Sequence, residues 1–237
     1  MKQIIIGFAF LLAAAFVIPE RATAQDCKFF YPTEVGTTLE YTFYNKKGRE
    51  ESYQTQKIVD NKMVDGATVV KIEASSSTGK KKEEEVTTTF EVKCDDGKFY
   101  INMNDFTSSV NYEQYESSPD VDVTVDSDDM FYPSDLSVGQ TLPDGKVEIA
   151  VTANGMKMFG STITVTDRKV EGKETIETPA GNFECLKVTS TVITKSVMSM
   201  ETQTIQWLAE DVGIVKTENR NKKGKLAGYQ LLTGIKK

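Results

Sequence analysis

The chain has 237 residues, 39% of them hydrophobic, with 28 Lys and Arg against 35 Asp and Glu, three cysteines and no histidine. A polypeptide of this length and apolar content has material for an ordinary folded core, which argues against a disordered chain. Without imidazole there is no Ser-His or Cys-His nucleophile pair, no histidine-ligated zinc and no proximal-histidine haem, and the net charge of −7 opposes long-range attraction to nucleic acid or an anionic membrane.

Residues 1–24 read as an export signal. Lys2 supplies positive charge, Ile4 to Ile18 is an unbroken apolar run, and Ala22-Thr23-Ala24 offers small residues for cleavage near Ala24. The run is shorter than the roughly 20 residues a bilayer-spanning helix needs, and Pro19 follows it directly. The mature chain is therefore expected in the periplasm or secreted, with no transmembrane segment. Cys27 follows Asp26, and an acidic residue just before the cysteine suits a lipidation site poorly, so a lipid anchor is the minority reading. In an exported protein three cysteines suggest one disulfide and one leftover thiol. Cys27 lies just inside the mature end and Cys94 beside the Asp95-Asp96-Gly97 turn, whereas Cys185 sits in an apolar strand between Glu184 and Leu186. The predicted bridge is Cys27–Cys94, with Cys185 buried.

From there on, β-branched and aromatic residues alternate with polar ones, and the breaks are Gly, Asn or Asp turns, which predicts strand after strand. Leu39 to Phe43 alternates, turns at Asn45-Lys46-Lys47-Gly48 and returns through Tyr53 to Val59. Asp65-Gly66 leads into Val69 to Ile72, and a further pair flanks Asp96-Gly97, with Phe90 to Val92 before it and Phe99 to Ile101 after. Met103 to Gln114 lacks strict alternation and reads as a short helix or a loop. Later strands are predicted at Val147 to Val151, Ser161 to Val170, Phe183 to Ile193, Thr202 to Leu208 and Gly213 to Thr217, with a tight turn at Asn154-Gly155.

Val35-Gly36-Thr37-Thr38-Leu39 recurs 103 residues later as Val138-Gly139-Gln140-Thr141-Leu142. Val70-Lys71-Ile72 matches Leu186-Lys187-Val188, and Gly97 matches Gly213, both 116 residues apart. These matches in one order predict an all-β protein of two similar halves, residues 25–114 and 134–237, joined by an acidic linker or edge segment over 115–133. The antiparallel sheets would form a sandwich or an open or half barrel.

The candidate chemistry is sparse. Asp120, Asp122, Asp126 and Asp128 would share one strand face opposite Val121, Val123 and Val125. The segment lacks the glycine and terminal glutamate of an EF-hand loop, so an edge strand guarded by charge is preferred to a calcium site. Lys80 to Glu85 reads as a solvated hairpin tip. Met156 with Met158, and Met198 with Met200, have strand spacing, and with Phe159 and Trp207 they read as core, or alternatively as a flexible apolar pocket for lipid. No GxSxG elbow, phosphate-cradling loop or dinucleotide fingerprint is present, and the scattered carboxylates define no acid–base pair, so no catalytic residue, metal or cofactor is expected.

Five segments carry a resemblance: Cys27 through Tyr31-Pro32 and Val35 to Tyr41; Cys94 to Tyr100; Pro133 to Gly139; Glu177 to Cys185, containing Thr178-Pro179-Ala180-Gly181-Asn182-Phe183; and Trp207 to Lys216, containing Trp207-Leu208-Ala209-Glu210-Asp211-Val212-Gly213. Together they resemble the TapB-like family of exported bacterial proteins, a domain of unknown function. The resemblance implies an all-β envelope or secreted protein without an established catalytic site, associated with other envelope proteins, and its residues carry over as structural positions. The resulting expectation is a non-enzymatic cell-envelope interaction or assembly module; the alternative is a carrier of an apolar small ligand or lipid.

Overall fold

The structure, a computed structural model, describes residues 28–79, 85–101, 121–128 and 130–237. The export signal, Cys27, Lys80 to Glu84, Met103 to Gln114, Asp120 and Asp129 lie outside these residues. Among the described residues there is no helix, and thirteen strands follow one another: β1 (Thr38–Asn45), β2 (Glu50–Val64), β3 (Ala67–Thr78), β4 (Glu85–Asp95), β5 (Lys98–Ile101), β6 (Val121–Ser127), β7 (Met130–Pro133), β8 (Gly145–Ala153), β9 (Met156–Thr178), β10 (Gly181–Lys195), β11 (Ser199–Ala209), β12 (Gly213–Asn221) and β13 (Leu226–Lys236). For most of them the alternation that predicts the strand is the alternation of burial, while β7 and β13 lie outside the predicted runs. In β8, Val147, Ile149 and Val151 are buried while Lys146 and Glu148 face water.

All thirteen strands join in one antiparallel sheet of order β6-β8-β9-β10-β11-β12-β13-β1-β2-β3-β4-β5-β7. Two six-stranded rows lie side by side in it, β1-β2-β3-β4-β5-β7 and β8 through β13, and the β13–β1 pairing fuses them. Of the segment 115–133, Val121–Ser127 forms the outer edge strand β6, with Asp122 and Asp126 exposed, and Met130–Pro133 forms β7 at the opposite edge. Short acidic or clipped edges deny a second chain a template for pairing.

The recurring Val-Gly turn has the same structure in both rows. Gly36 and Gly139 have φ of 98° and 92°, a left-handed backbone that a side chain opposes. The amide of Gly36 donates to the Ile58 carbonyl at 2.9 Å and that of Ile58 to the Thr37 carbonyl at 2.9 Å. Likewise Gly139 donates to Val170 at 2.8 Å and Val170 to Gln140 at 2.9 Å. One bulge follows in each row: Val59 is skipped between Ile58↔Ile72 and Asp60↔Lys71, and Glu171 between Val170↔Val188 and Gly172↔Lys187. A bulge bends and twists its strand, so paired bulges curl both rows in the same sense.

The curled sheet surrounds one main core, in which Leu39, Ile58, Val70, Ile72, Phe99, Val170 and Leu232 are all essentially inaccessible. The segment ahead of β1 enters this core: Phe29 and Phe30 meet Phe99 edge-on at 5.6 and 6.2 Å, and Tyr31 meets Phe90 at 6.2 Å. The two ends of the sheet approach without strand pairing. Met130 of β7 packs on Val147, Ile149 and Val165 of β8 and β9. Arg168 of β9, only 1% exposed, donates from Nη1 to the Pro143 carbonyl at 2.6 Å and the Phe131 carbonyl at 3.3 Å. Its guanidinium lies 4.7 Å from the centroid of the Tyr132 ring. A buried arginine thus clasps the open barrel.

Arg168→Ala leaves buried carbonyls without a donor, and is expected to cost about 2–4 kcal/mol in urea unfolding and to lower Tm by roughly 5–15 °C. Arg168→Lys should recover little, because an ammonium cannot keep the flat guanidinium's contact with the Tyr132 ring while reaching both carbonyls. A lysine variant as stable as the parent would show that the clasp is not what holds the ends.

Candidate functional site

A groove of about 540 Å³ opens where the starts of β10 and the end of β11 meet the entering N-terminal segment. Its floor is apolar, with Phe30, Leu136, Phe183, Leu208 and Val212, and its rim is polar, with Lys28, Glu174, Asn182, Glu184 and Glu210. Two sequence turns shape it. In the first, the Thr178 hydroxyl accepts from the Ala180 amide at 3.2 Å, and Gly181 at φ 136° starts β10, delivering Asn182 and Phe183 to the groove. In the second, the Val212 amide donates to the Ala209 carbonyl at 3.3 Å, and the Asp211 amide donates to the Phe29 carbonyl at 2.8 Å. Gly213, at φ 102°, lies under the Tyr31 ring, where a Cβ would come within 3.5 Å of the ring. The entering segment is fixed alongside by the Lys28 amide donating to Ser134 Oγ at 3.2 Å and by Lys28 Nζ at 3.4 Å from Glu210.

One wall continues into a charged cluster around Trp207. The indole Nε1 donates to Glu174 Oε2 at 2.7 Å, and Lys187 Nζ donates to Glu174 Oε1 at 2.8 Å. Lys216 and Lys187 lie 4.6 and 5.5 Å from the indole centroid, in register with Trp207 on the two neighbouring strands. The lysines cover both sides of a ring that is only 5% exposed, so Trp207 is an anchor and not an open stacking platform. The hydrogen bond from Lys187, then that from Trp207, holds the Glu174 carboxyl below its ordinary value of 4.5.

Cys185 borders the groove as a free, buried thiol that donates to the Phe183 carbonyl at 3.5 Å. Burial, with the Glu174 charge adding to it, pushes the thiol up from 9.0 to about 11, so it stays protonated and is a poor nucleophile. Among the described residues no group of three or more His, Cys, Asp or Glu side chains is placed to hold a metal ion. Apolar floor, hydrogen-bonding rim and inert thiol together equip the groove for binding.

The sequence-level candidates fall elsewhere. Cys94 is buried in β4 opposite Phe99, while its predicted partner Cys27 lies outside the described residues. The methionines are neither core nor pocket lining: Met156, Met158, Met198 and Met200 are 63–81% exposed, because the hairpins bearing them run past the neighbouring strands. The groove itself was missed, although segments from four of the five family-like stretches line it. The available signal was the mixture of polar Asn182, Glu184 and Glu210 with apolar Ala180, Phe183, Ala209 and Val212 in and beside the two turns.

A single curled antiparallel sheet with a mixed groove defines a β-scaffold, and among the described residues no helix is long and apolar enough to cross a membrane. The chain belongs to the DUF3108-like family, whose profile matches residues 34–232. A Bacteroides fragilis protein described as exported, with a YmcC-like fold, aligns at 24% identity and TM-score 0.70, over 89% of this chain and 100% of its own. A Parabacteroides distasonis protein described as a lipoprotein aligns at 23% identity and TM-score 0.71, over 90% and 100%. These likenesses show the fold. No curated protein matches the chain.

Two measurements follow from the thiols and Glu174. Peptide mapping of unreduced protein should recover Cys27 linked to Cys94, and iodoacetamide should modify Cys185 only after denaturation; a bridge to Cys185 would contradict the assignment. Because the folded Cys185 thiol has the raised pKa, its protection holds below about pH 9 and is lost as pH rises through about 11. For Glu174 the sign is opposite: the folded pKa is depressed, so its contribution is present above about pH 4.5 and lost as pH falls through the lower folded value. Trp207 fluorescence should report that step, and Glu174→Gln should abolish it.

Proposed function

We propose that this protein is a non-catalytic interaction module of the cell envelope that holds an extended segment of a partner polypeptide in the groove beside Phe183. The convergence of Lys28, Ser134, Phe183 and Glu210 on one groove carries the reading, since these residues come from four separate family-like stretches. A mixed lining of this kind suits a peptide, whose backbone needs polar partners and whose side chains need apolar contact. Export rests on the predicted signal over residues 1–24 and agrees with the relatives described as exported or as a lipoprotein. The TapB-like resemblance, with its implied association with envelope proteins, points the same way. An apolar carrier has less support, because Phe29, Phe30 and Tyr31 occupy the main core and the methionines face outward.

A photo-crosslinking residue placed at Leu136 should give a discrete polypeptide adduct in native envelopes, and Phe183→Glu should reduce that adduct several-fold. A crosslinker at the exposed Val59, on a skipped bulge position, serves as the control. No adduct, or equal adducts from both positions, defeats the proposal.

A further inference from the structure

A second cavity, of about 400 Å³, adjoins the groove at the β11–β12 turn. Val212 lines both spaces, while Glu210 borders the groove and Asp211 the cavity. Leu39 of β1 and Ile235 of β13, paired in register, add apolar walls. Thr37, Glu34 and Lys237 border it as well.

Two polar groups at this cavity lack partners. Thr37 is only 2% exposed, and its hydroxyl has no hydrogen-bond partner. Its backbone is engaged, the amide donating to the Glu34 carbonyl at 3.1 Å and the carbonyl accepting from the Ile58 amide at 2.9 Å. A buried hydroxyl left unpaired weakens a fold, where a valine of the same shape would not. The second group is the Asp211 carboxylate, which has no ion-pair or hydrogen-bond partner among the described residues. Glu34, by contrast, is held by Lys237 Nζ at 3.2 Å. One carboxylate at the cavity is therefore neutralised and one is not, and Lys28 and Glu210 beside the turn cancel each other as a pair at 3.4 Å. The charge left over is negative.

That combination selects a ligand. A carboxylate would be repelled by Asp211, and an uncharged chain would leave that charge unmatched. An ammonium has three donors and no acceptor, so it can donate to a hydroxyl and a carboxylate together while its methylenes lie against carbon. We infer that the cavity binds an ammonium group on an aliphatic stem, with Asp211 and Thr37 as its acceptors and Leu39, Val212 and Ile235 around the stem. Because Val212 joins the cavity to the groove, a lysine of the segment held there is the source that the geometry favours. That assignment rests on the proposed function, whereas the ammonium site does not.

The test is titration of the ¹⁵N-labelled protein with n-pentylammonium, pentanol and hexanoate. Only pentylammonium should shift the Thr37 and Ile235 amide signals. Thr37→Val and Asp211→Asn should each weaken its binding roughly three- to tenfold, and Lys237→Gln should strengthen it by removing a like charge and freeing Glu34. Thr37→Val should at the same time raise Tm, which separates a lost ligand from a lost fold. No shift with pentylammonium, equal binding of pentanol or hexanoate, or parent-like binding by both variants overturns the inference. For the source, Asp211→Asn should reduce the Leu136 polypeptide adduct several-fold in native envelopes. An undiminished adduct overturns the lysine assignment alone; an absent adduct in the parent defeats the groove proposal, and the titration still decides the ammonium site.

Discussion

Thirteen strands in one row would leave a long apolar face open to water, and the need to close that face organises the molecule. Closure comes from curvature, not from a second sheet: bulges at Val59 and Glu171 bend the two rows, and the buried face wraps on itself. Where the ends approach they do not pair. Arg168 supplies the hydrogen bonds that a strand ladder would otherwise have supplied, reaching carbonyls on both sides of the seam and stacking over Tyr132. A buried charge is costly unless held in this way, so a single side chain ties the position of β7 to that of β9.

The same closure makes the groove. Once the sheet curls, the chain ahead of β1 has to pass into the interior, and Phe29, Phe30 and Tyr31 fill the space there. The Asp211 amide binds the Phe29 carbonyl and Gly213, at φ 102°, turns the chain beside Tyr31, so the β11–β12 turn and the entering segment meet. The groove lies along this junction. Its walls are strand ends and the turns that join them.

The two ends of β11 have opposite characters. Near Ala209 the surface is a mixed groove with carboxylates and an amide at its rim; near Ser199 the exposed Val197, Met198 and Met200 stand beside the exposed Lys195 and Glu201. A strand is a stiff spacer, so these two surfaces stand at opposite ends of one element.

Periodicity was enough to mark most of the strands, because a residue's inward or outward direction alternates whatever lies beyond it, but β7 and β13 fall outside the runs it marked. The Val-Gly repeat likewise announced two turns that only glycine tolerates. The sequence also located Trp207 and Cys185 as buried positions, since large apolar groups within alternating strands have one place to go. Three things depended on tertiary structure. Whether two halves make two sheets or one turns on the β13–β1 pairing, a contact between chain ends that no local pattern encodes. Arg168 looks like an ordinary surface arginine until the curl brings Phe131 and Pro143 to it. The methionines read as interior because strand spacing gives a face but not what lies opposite, and the hairpins that bear them extend beyond the strands that would have covered them.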